Sequence, residues 1–177
     1  MDSLAEVAAS ASRGDAGAFQ QIVRATSARL VRLAARILGS EAEAEDVVQE
    51  AYVKAFRALA EGRFDQRSAL ETWLYRIVSN GAIDALRSRA RRPVPTDRLP
   101  DGAWGGAGSP EAHLALRELD DWLGELPAEQ RAALVLKAVE GRETAEIAEI
   151  LGCTEGAVEQ KLVRARATLR KRGQDHD

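Results

Sequence analysis

The chain has 177 residues, 25 Lys and Arg against 28 Asp and Glu, and is 45% hydrophobic, 5% aromatic and 30% charged. That is room for one ordinary domain or two small ones. No run approaches the roughly 18–20 apolar residues of a membrane-spanning helix, and Asp2 and Glu6 stand where a signal peptide carries basic and apolar residues, so a cytoplasmic protein is expected. The lone Cys153 excludes an internal disulfide framework, and with only His113 and His176 beside it no His/Cys zinc cage can form; neither metal nor cofactor is expected.

The net charge of -3 hides an uneven layout, with five acids and no base from Glu41 to Glu50 and six bases and no acid from Lys161 to Arg172. A second basic cluster, Arg87, Arg89, Arg91 and Arg92, gives the chain two positive surfaces, a layout suited either to solvated helix faces or to a polyanion touched at two places.

Both ends of the chain read as helix throughout: Ala is abundant, Gly and Pro sit at boundaries, and no window alternates β-branched residues with period two. Phe19, Ile22, Val23, Leu30, Ala34, Ile37 and Leu38 recur at helical spacing up to Gly39, which fits a C-terminal stop. Ser40 is placed to cap the next helix, whose buried stripe is predicted as Val47, Val48, Ala51, Tyr52, Ala55, Phe56 and Leu59. Its acidic start suits a helix N-terminus, whereas the mixed face of Asp46, Gln49, Glu50, Val53 and Lys54 is suited to binding a protein. After a loop from Glu61 to Arg67 around Gly62, a third helix buries Leu70, Trp73, Leu74, Ile77 and Val78. Its opposite side carries Arg76, Asn80, Asp84, Arg87 and Arg91 at spacings of four, four, three and four, a stripe fit for bases and phosphates or for solvent.

From Arg92 to Pro110 eight of nineteen residues are Pro or Gly and periodicity vanishes, so a flexible linker is expected, with Trp104 inside it. The expected organisation is all-α, two small helical domains over 1–92 and 111–177 joined by a linker over 93–110. The second domain holds Leu116, Leu119, Leu123 and Leu126, then Pro127 at a first helical turn and the apolar run Ala132 to Leu136. A short helix follows Thr144 with Ile147, Ala148, Ile150 and Leu151 inside; Gly152 turns the chain, and Thr154 caps a final helix with Val158, Leu162 and Ala165.

Small Ala148, Gly152 four residues on and Val158 six beyond that have the spacing of a helix-turn-helix. Its second helix offers Thr154, Glu155, Ala157, Glu159, Gln160 and Lys161 at its N-terminal end for base edges, and Arg164 and Arg166 for phosphates or bases.

The segments DVVQEAYVKAF (Asp46 to Phe56), TWLYRIVSNGAIDALR (Thr72 to Arg87), LPAEQRAALVLKAVEG (Leu126 to Gly141) and TAEIAEILGCTEGAVEQKLVRAR (Thr144 to Arg166), with the Pro/Gly linker between the second and third, resemble bacterial sigma factors of the extracytoplasmic-function group. These are small members of the sigma-70 family with two helical domains, sigma-2 and sigma-4. The resemblance implies that Asp46, Gln49, Glu50 and Lys54 meet the β′ clamp helices of core RNA polymerase, with the β flap as a further polymerase partner. It implies that the loop with Arg63, Phe64, Asp65, Gln66 and Arg67 holds a flipped base of the promoter -10 element, which needs an apolar wall beside hydrogen-bond donors. Arg76, Asn80, Asp84 and Arg87 would lie along the -10 strand and the final helix in the -35 major groove, and an anti-sigma factor is expected as a further partner of a chain that is monomeric when free.

One departure bears on the -35 sequence: where relatives often have Gly-Thr-Val-Lys-Ser-Arg, this chain has Gly156, Ala157, Val158, Glu159, Gln160 and Lys161. The sequence ends at Asp177, a few residues past the final helix, so no regulatory C-terminal extension is expected. A sigma factor is not an enzyme, and Ser, His and Asp here lie in no recognisable nucleophile setting. The alternative is a stand-alone helix-turn-helix regulator acting without polymerase; it accounts for the second domain but not for the 61–67 loop, the Asn80 stripe or the Asp46 helix.

Overall fold

The computed structural model describes residues 4–64, 69–91 and 121–175. The predicted linker 93–110 with Trp104, the loop residues Asp65, Gln66 and Arg67, and Leu116, Leu119, His113 and His176 lie outside the described residues. Every regular element among the described residues is helical: α1 Leu4–Ser12, α2 Ala16–Leu38, α3 Glu41–Ala60, α4 Leu70–Arg91, α5 Ala128–Ala138, α6 Thr144–Leu151 and α7 Glu155–Asp175, with residues 121–124 helical as well. The all-helical fold expected from composition and periodicity is the fold observed. α1 precedes the first periodic residue, Phe19, and is not foreshadowed by it.

Local chemistry sets the corners. The Asp15 carboxylate accepts from the Gly17 and Ala18 N–H groups at 2.9 and 3.1 Å, starting α2, and these bonds, the one from Ala18 first, hold its pKa below the usual carboxylate value. Gly39 ends α2 in the left-handed region at φ 70°, and its N–H donates to the Ala35 carbonyl at 2.7 Å. Ser40 immediately caps α3, its Oγ accepting from Glu43 N–H at 3.3 Å. One helix therefore stops and the next starts within two residues, which forces α2 and α3 to pack as neighbours.

Burial follows the predicted stripes with informative exceptions. Val48, Ala51, Tyr52, Ala55 and Leu59 of α3 are buried, but Phe56 is 39% exposed and Val47 only half-buried. At about 100° per residue both lie about a quarter turn from the stripe's centre, on opposite flanks. Phe56 therefore leans towards α2, its ring edge-on to Phe19 with centroids 5.1 Å apart. In α4, Ile77 is half-buried, and Tyr75, which belongs to neither the predicted buried stripe nor the polar one, is among the most deeply buried residues. Gly81 lets α4 approach α3 closely: a Cβ there would stand 3.1 Å from Val47 Cγ1.

Tyr75 is buried because the second module packs against the first. Ala132, Ala133, Val135, Leu136, Ile147 and Ile150 join the same core cluster as α2, α3 and α4, while Leu123, Leu126 and Ala165 form a smaller one. Pro127 is the N-cap of α5, one position ahead of the predicted first turn, and its carbonyl accepts from Gln130 and Arg131 N–H. Thr144 is the first residue of α6, and the N-cap is Glu143, whose N–H donates to Glu146 Oε2 at 3.0 Å.

Candidate nucleic-acid interface

Two surfaces carry the predicted residues. The first is a groove of about 410 Å³ between the C-terminal half of α3 and α4, lined by Lys54, Arg57, Ala58, Arg63, Trp73, Arg76, Ile77 and Asn80. Four cations and one amide surround an aromatic and aliphatic floor, the combination that holds an unstacked base by its face and its phosphates by charge. Trp73 is mostly buried, and Phe64 lies against it with ring centroids 4.8 Å apart, tilted by 46°. Phe64 thus sits at the groove beside Arg63, which pairs with Glu61. Asn80 is exposed at the groove's edge, and Asp84 and Arg87 continue the same exposed side of α4.

Periodicity alone did not reach Arg57: it falls on the exposed side of α3, and only the packing of α3 on α4 brings it to Arg76 and Asn80. Lys54 is similarly relocated. It lines this groove and also a second one of about 300 Å³ with Asp46, Glu50, Gly81, Asp84 and Ser88. Asp46, Gln49 and Glu50 are exposed on α3 as predicted, in line with Val53, 51% exposed. Lys54 is therefore the residue where the acidic face of α3 meets the cationic groove.

The second surface is α7. Ala148 is almost buried, Gly152 has φ 64° with its N–H donating to the Ala148 carbonyl, and Val158 is fully buried. Thr154 caps α7, its Oγ1 accepting from Ala157 N–H at 3.2 Å. The tight turn and the buried small residues are those of a helix-turn-helix, with α7 as its second helix. Glu155, Glu159, Gln160, Arg164 and Arg166 are exposed, whereas Ala157 and Lys161 are half-buried. Gln160 lies near the outermost line of α7, and beside it stands Val163, 64% exposed, which the sequence reading passed over. Its signal is an apolar residue three positions after Gln160, off the buried stripe of Val158, Leu162 and Ala165.

Between the surfaces runs a polar seam. The Tyr75 hydroxyl donates to Glu140 Oε2 at 2.7 Å, Arg36 Nη1 donates to Glu140 Oε1 at 3.0 Å, and the Glu140 side chain is only 6% exposed. The Arg142 guanidinium lies over the Tyr75 ring, 4.5 Å from its centroid, and bonds to Glu71. Burial first, then the bond to the Glu140 carboxylate, pushes the Tyr75 hydroxyl pKa up to about 12. Arg131, 3% exposed, donates from Nε to the Arg36 carbonyl at 3.1 Å.

Comparison with known proteins matches residues 22–92 to sigma-70 region 2 and residues 116–169 to sigma-70 region 4. The RNA polymerase sigma-H factor of Pseudomonas aeruginosa is 36% identical over 171 residues, covering 90% of this chain and 88% of the relative. The chain belongs to the extracytoplasmic-function sigma factors of the sigma-70 family. Region 2 takes in most of α2 and all of α3 and α4, and region 4 takes in α5, α6 and most of α7, so the two candidate surfaces of this sigma factor fall in separate family regions. Among solved structures, CnrH in complex with the cytosolic domain of CnrY is 30% identical with a TM-score of 0.70, covering 97% of each chain. The sigma factor RpoE of Bartonella quintana, in complex with the anti-sigma factor NepR, is 26% identical with a TM-score of 0.66, covering 86% of this chain and 94% of that one. Among the described residues no helix is long and apolar enough to cross a membrane, and no group of three or more His, Cys, Asp or Glu is placed to hold a metal ion.

Proposed function

We propose that this sigma factor binds bacterial core RNA polymerase and directs promoter recognition and melting, acting in the cytoplasm as a specificity subunit and not as an enzyme. The observation that carries the reading is the pairing, in one chain, of an aromatic-floored cationic groove with a helix-turn-helix. The groove, with Arg63, Phe64, Arg76 and Asn80, takes an unstacked base of the -10 element, and Asp84 and Arg87 follow the strand upstream; Asp65 and Arg67 extend this set by sequence alone. In α7, Gln160 and Glu159 face base edges of the -35 duplex with Val163 between them, while Arg164 and Arg166 take phosphates on the flanks. Thr154, Glu155, Ala157 and Lys161 complete the end of the helix nearest the groove floor of the duplex.

The α3 face of Asp46, Gln49 and Glu50, with the exposed Val53 and Phe56 beside it, binds the β′ clamp helices, and Lys54 joins it to the -10 groove. The working units are 1–92 for polymerase and -10 binding and 111–177 for -35 binding. An anti-sigma factor is a further partner, by analogy with the NepR complex.

The test is run-off transcription from a pool of genomic promoters with purified chain and sigma-free core polymerase, core alone serving as control. Defined transcripts that require the chain are expected, and they yield the -10 and -35 sequences together. Sequence-specific duplex binding without any transcript would move the reading to a stand-alone helix-turn-helix regulator.

A further inference from the structure

One carboxylate stands between the two surfaces. Glu129, in the first turn of α5, pairs through Oε1 with Arg87 of α4 and through Oε2 with Lys161 of α7, the latter at 3.2 Å. Arg87 belongs to the stripe assigned to the -10 side and Lys161 to the helix assigned to the -35 duplex. Both cations thus share one acid in the free chain, with Asp84 a second partner of Arg87 at 3.7 Å, and a phosphate arriving at either must compete with Glu129.

The pairs sit at one margin of the seam centred on Glu140. From the first module Arg29, Arg36, Glu71 and Tyr75 converge on it; from the second come Glu140 itself and Arg142. The Glu140 carboxylate is matched on both oxygens: the Tyr75 hydroxyl and Arg36 take one each, and Arg142 is held between the Tyr75 ring and Glu71. Glu140, 6% exposed, thus has charged and neutral donors from the first module on both its oxygens, so removing those donors would leave a buried charge without partners. The Glu129 pairs are different, because Glu129 is 42% exposed and Arg87 54% exposed, so water and salt compete for them and they exchange readily.

We propose that the face of the first module built by Arg36, Glu71, Tyr75 and Arg87 is a docking surface for the chain's own second module, and that Glu129 keeps the chain shut against promoter DNA by taking the two cations that DNA phosphates would take. The inference rests on the assignment of Arg87 and Lys161 to the promoter. The seam supplies the docking, and the exchangeable Glu129 pairs make it answerable to a polyanion: phosphates arriving at Arg87 and Lys161 displace one acid from both modules at once. Glu129 is then a positioning residue that sets how easily the free chain yields to promoter DNA.

The test uses the full chain without polymerase and measures two quantities, the affinity for a -35 duplex by fluorescence anisotropy and the radius of gyration by X-ray scattering. Glu129→Gln removes the charge and keeps the shape; Glu149→Gln, on the exposed side of α6, is the control for a plain loss of one negative charge. Glu140→Gln weakens the seam without touching a residue assigned to DNA. The expected result is a wild-type radius close to about 16 Å, the value for a compact chain of this length. Glu129→Gln and Glu140→Gln should raise both the radius and the duplex affinity, by about 2- to 5-fold in affinity, beyond any change in Glu149→Gln. Equal affinities for Glu129→Gln and Glu149→Gln would overturn the proposal, as would a larger radius with no gain in affinity. Failure of the promoter assignment is read separately: in the Glu129→Gln background, Lys161→Gln that leaves duplex affinity and its salt dependence unchanged removes Lys161 from the -35 interface.

Discussion

The Tyr75 hydroxyl and the Glu140 carboxylate meet at 2.7 Å across the seam between the modules, with both side chains almost wholly removed from solvent. A buried hydrogen bond to an ionised group contributes about 1.5–3 kcal/mol. Tyr75→Phe keeps the ring under Arg142 and removes only the donor, so it is expected to lower unfolding stability by that amount. Urea denaturation followed by circular dichroism checks this, and a loss below about 0.5 kcal/mol would mean that Arg36 alone satisfies Glu140.

The same pair predicts an alkaline transition. The folded-state pKa of Tyr75 is raised to about 12 from an ordinary value of 10, so the protonated phenol contributes stability that is fully present below pH 10 and is lost as pH rises through about 12. Tyr52, the other tyrosine, is also shifted upward by burial, offset in part by its bond with Thr26. Ultraviolet titration of tyrosinate should therefore show little ionisation at pH 10. A full tyrosinate signal at that pH in the folded chain would contradict the buried Tyr75–Glu140 bond.

Gly152 is where backbone geometry decides the second surface. Its φ of 64° is the left-handed conformation that ends α6, and nothing lies within 4 Å of where a Cβ would be. The cost of Gly152→Ala is thus backbone strain without a clash, about 1–2 kcal/mol. Thermal unfolding should show that loss, accompanied by weaker -35 duplex binding because α7 is re-aimed. Unaltered stability would show that the turn accepts a second conformation.

Arg76 and Asn80 line the cationic groove proposed to take the melted strand, whereas Asp46 and Glu50 line a separate one. The double variant Arg76→Ala with Asn80→Ala is expected to lower promoter opening several-fold, read by permanganate reactivity of unpaired thymines, while core polymerase binding stays intact. Equal losses in both assays would place these residues in the polymerase interface or in the fold.

Val163 is 64% exposed on α7, off the helix's buried stripe. In a major groove its partner is a thymine methyl. Val163→Ser should leave stability within about 0.5 kcal/mol of wild type, as for other surface substitutions. It should also weaken binding to the -35 duplex by about 1–3 kcal/mol. Replacing individual -35 thymines by deoxyuridine should weaken the wild type at one position and leave the variant indifferent there. Sensitivity retained by the variant at every position would exclude the methyl contact.

The sequence by itself determined the all-helical class, the two modules and most corners, because these rest on local chemistry: a left-handed Gly39 next to a capping Ser40, a capping Thr154, and 3.6-residue periodicity. It also determined the exposed stripe from Asn80 to Arg91 and the helix-turn-helix spacing, which depend on residues within one or two helices. What lay beyond it depends on which helix packs on which. Phe56 and Ile77 read as core but flank it, and Tyr75 falls on neither predicted face of its helix but is buried, because Glu140 and Arg142 of the second module close over it. Arg57 and Lys54 enter the cationic groove only through the crossing of α3 on α4. Glu129 and Glu140 look like any solvated acids in the sequence. Tertiary structure alone sets Glu129 between Arg87 and Lys161 and Glu140 against Tyr75 and Arg36, because ion pairs between residues 32 to 104 positions apart leave no periodicity to read.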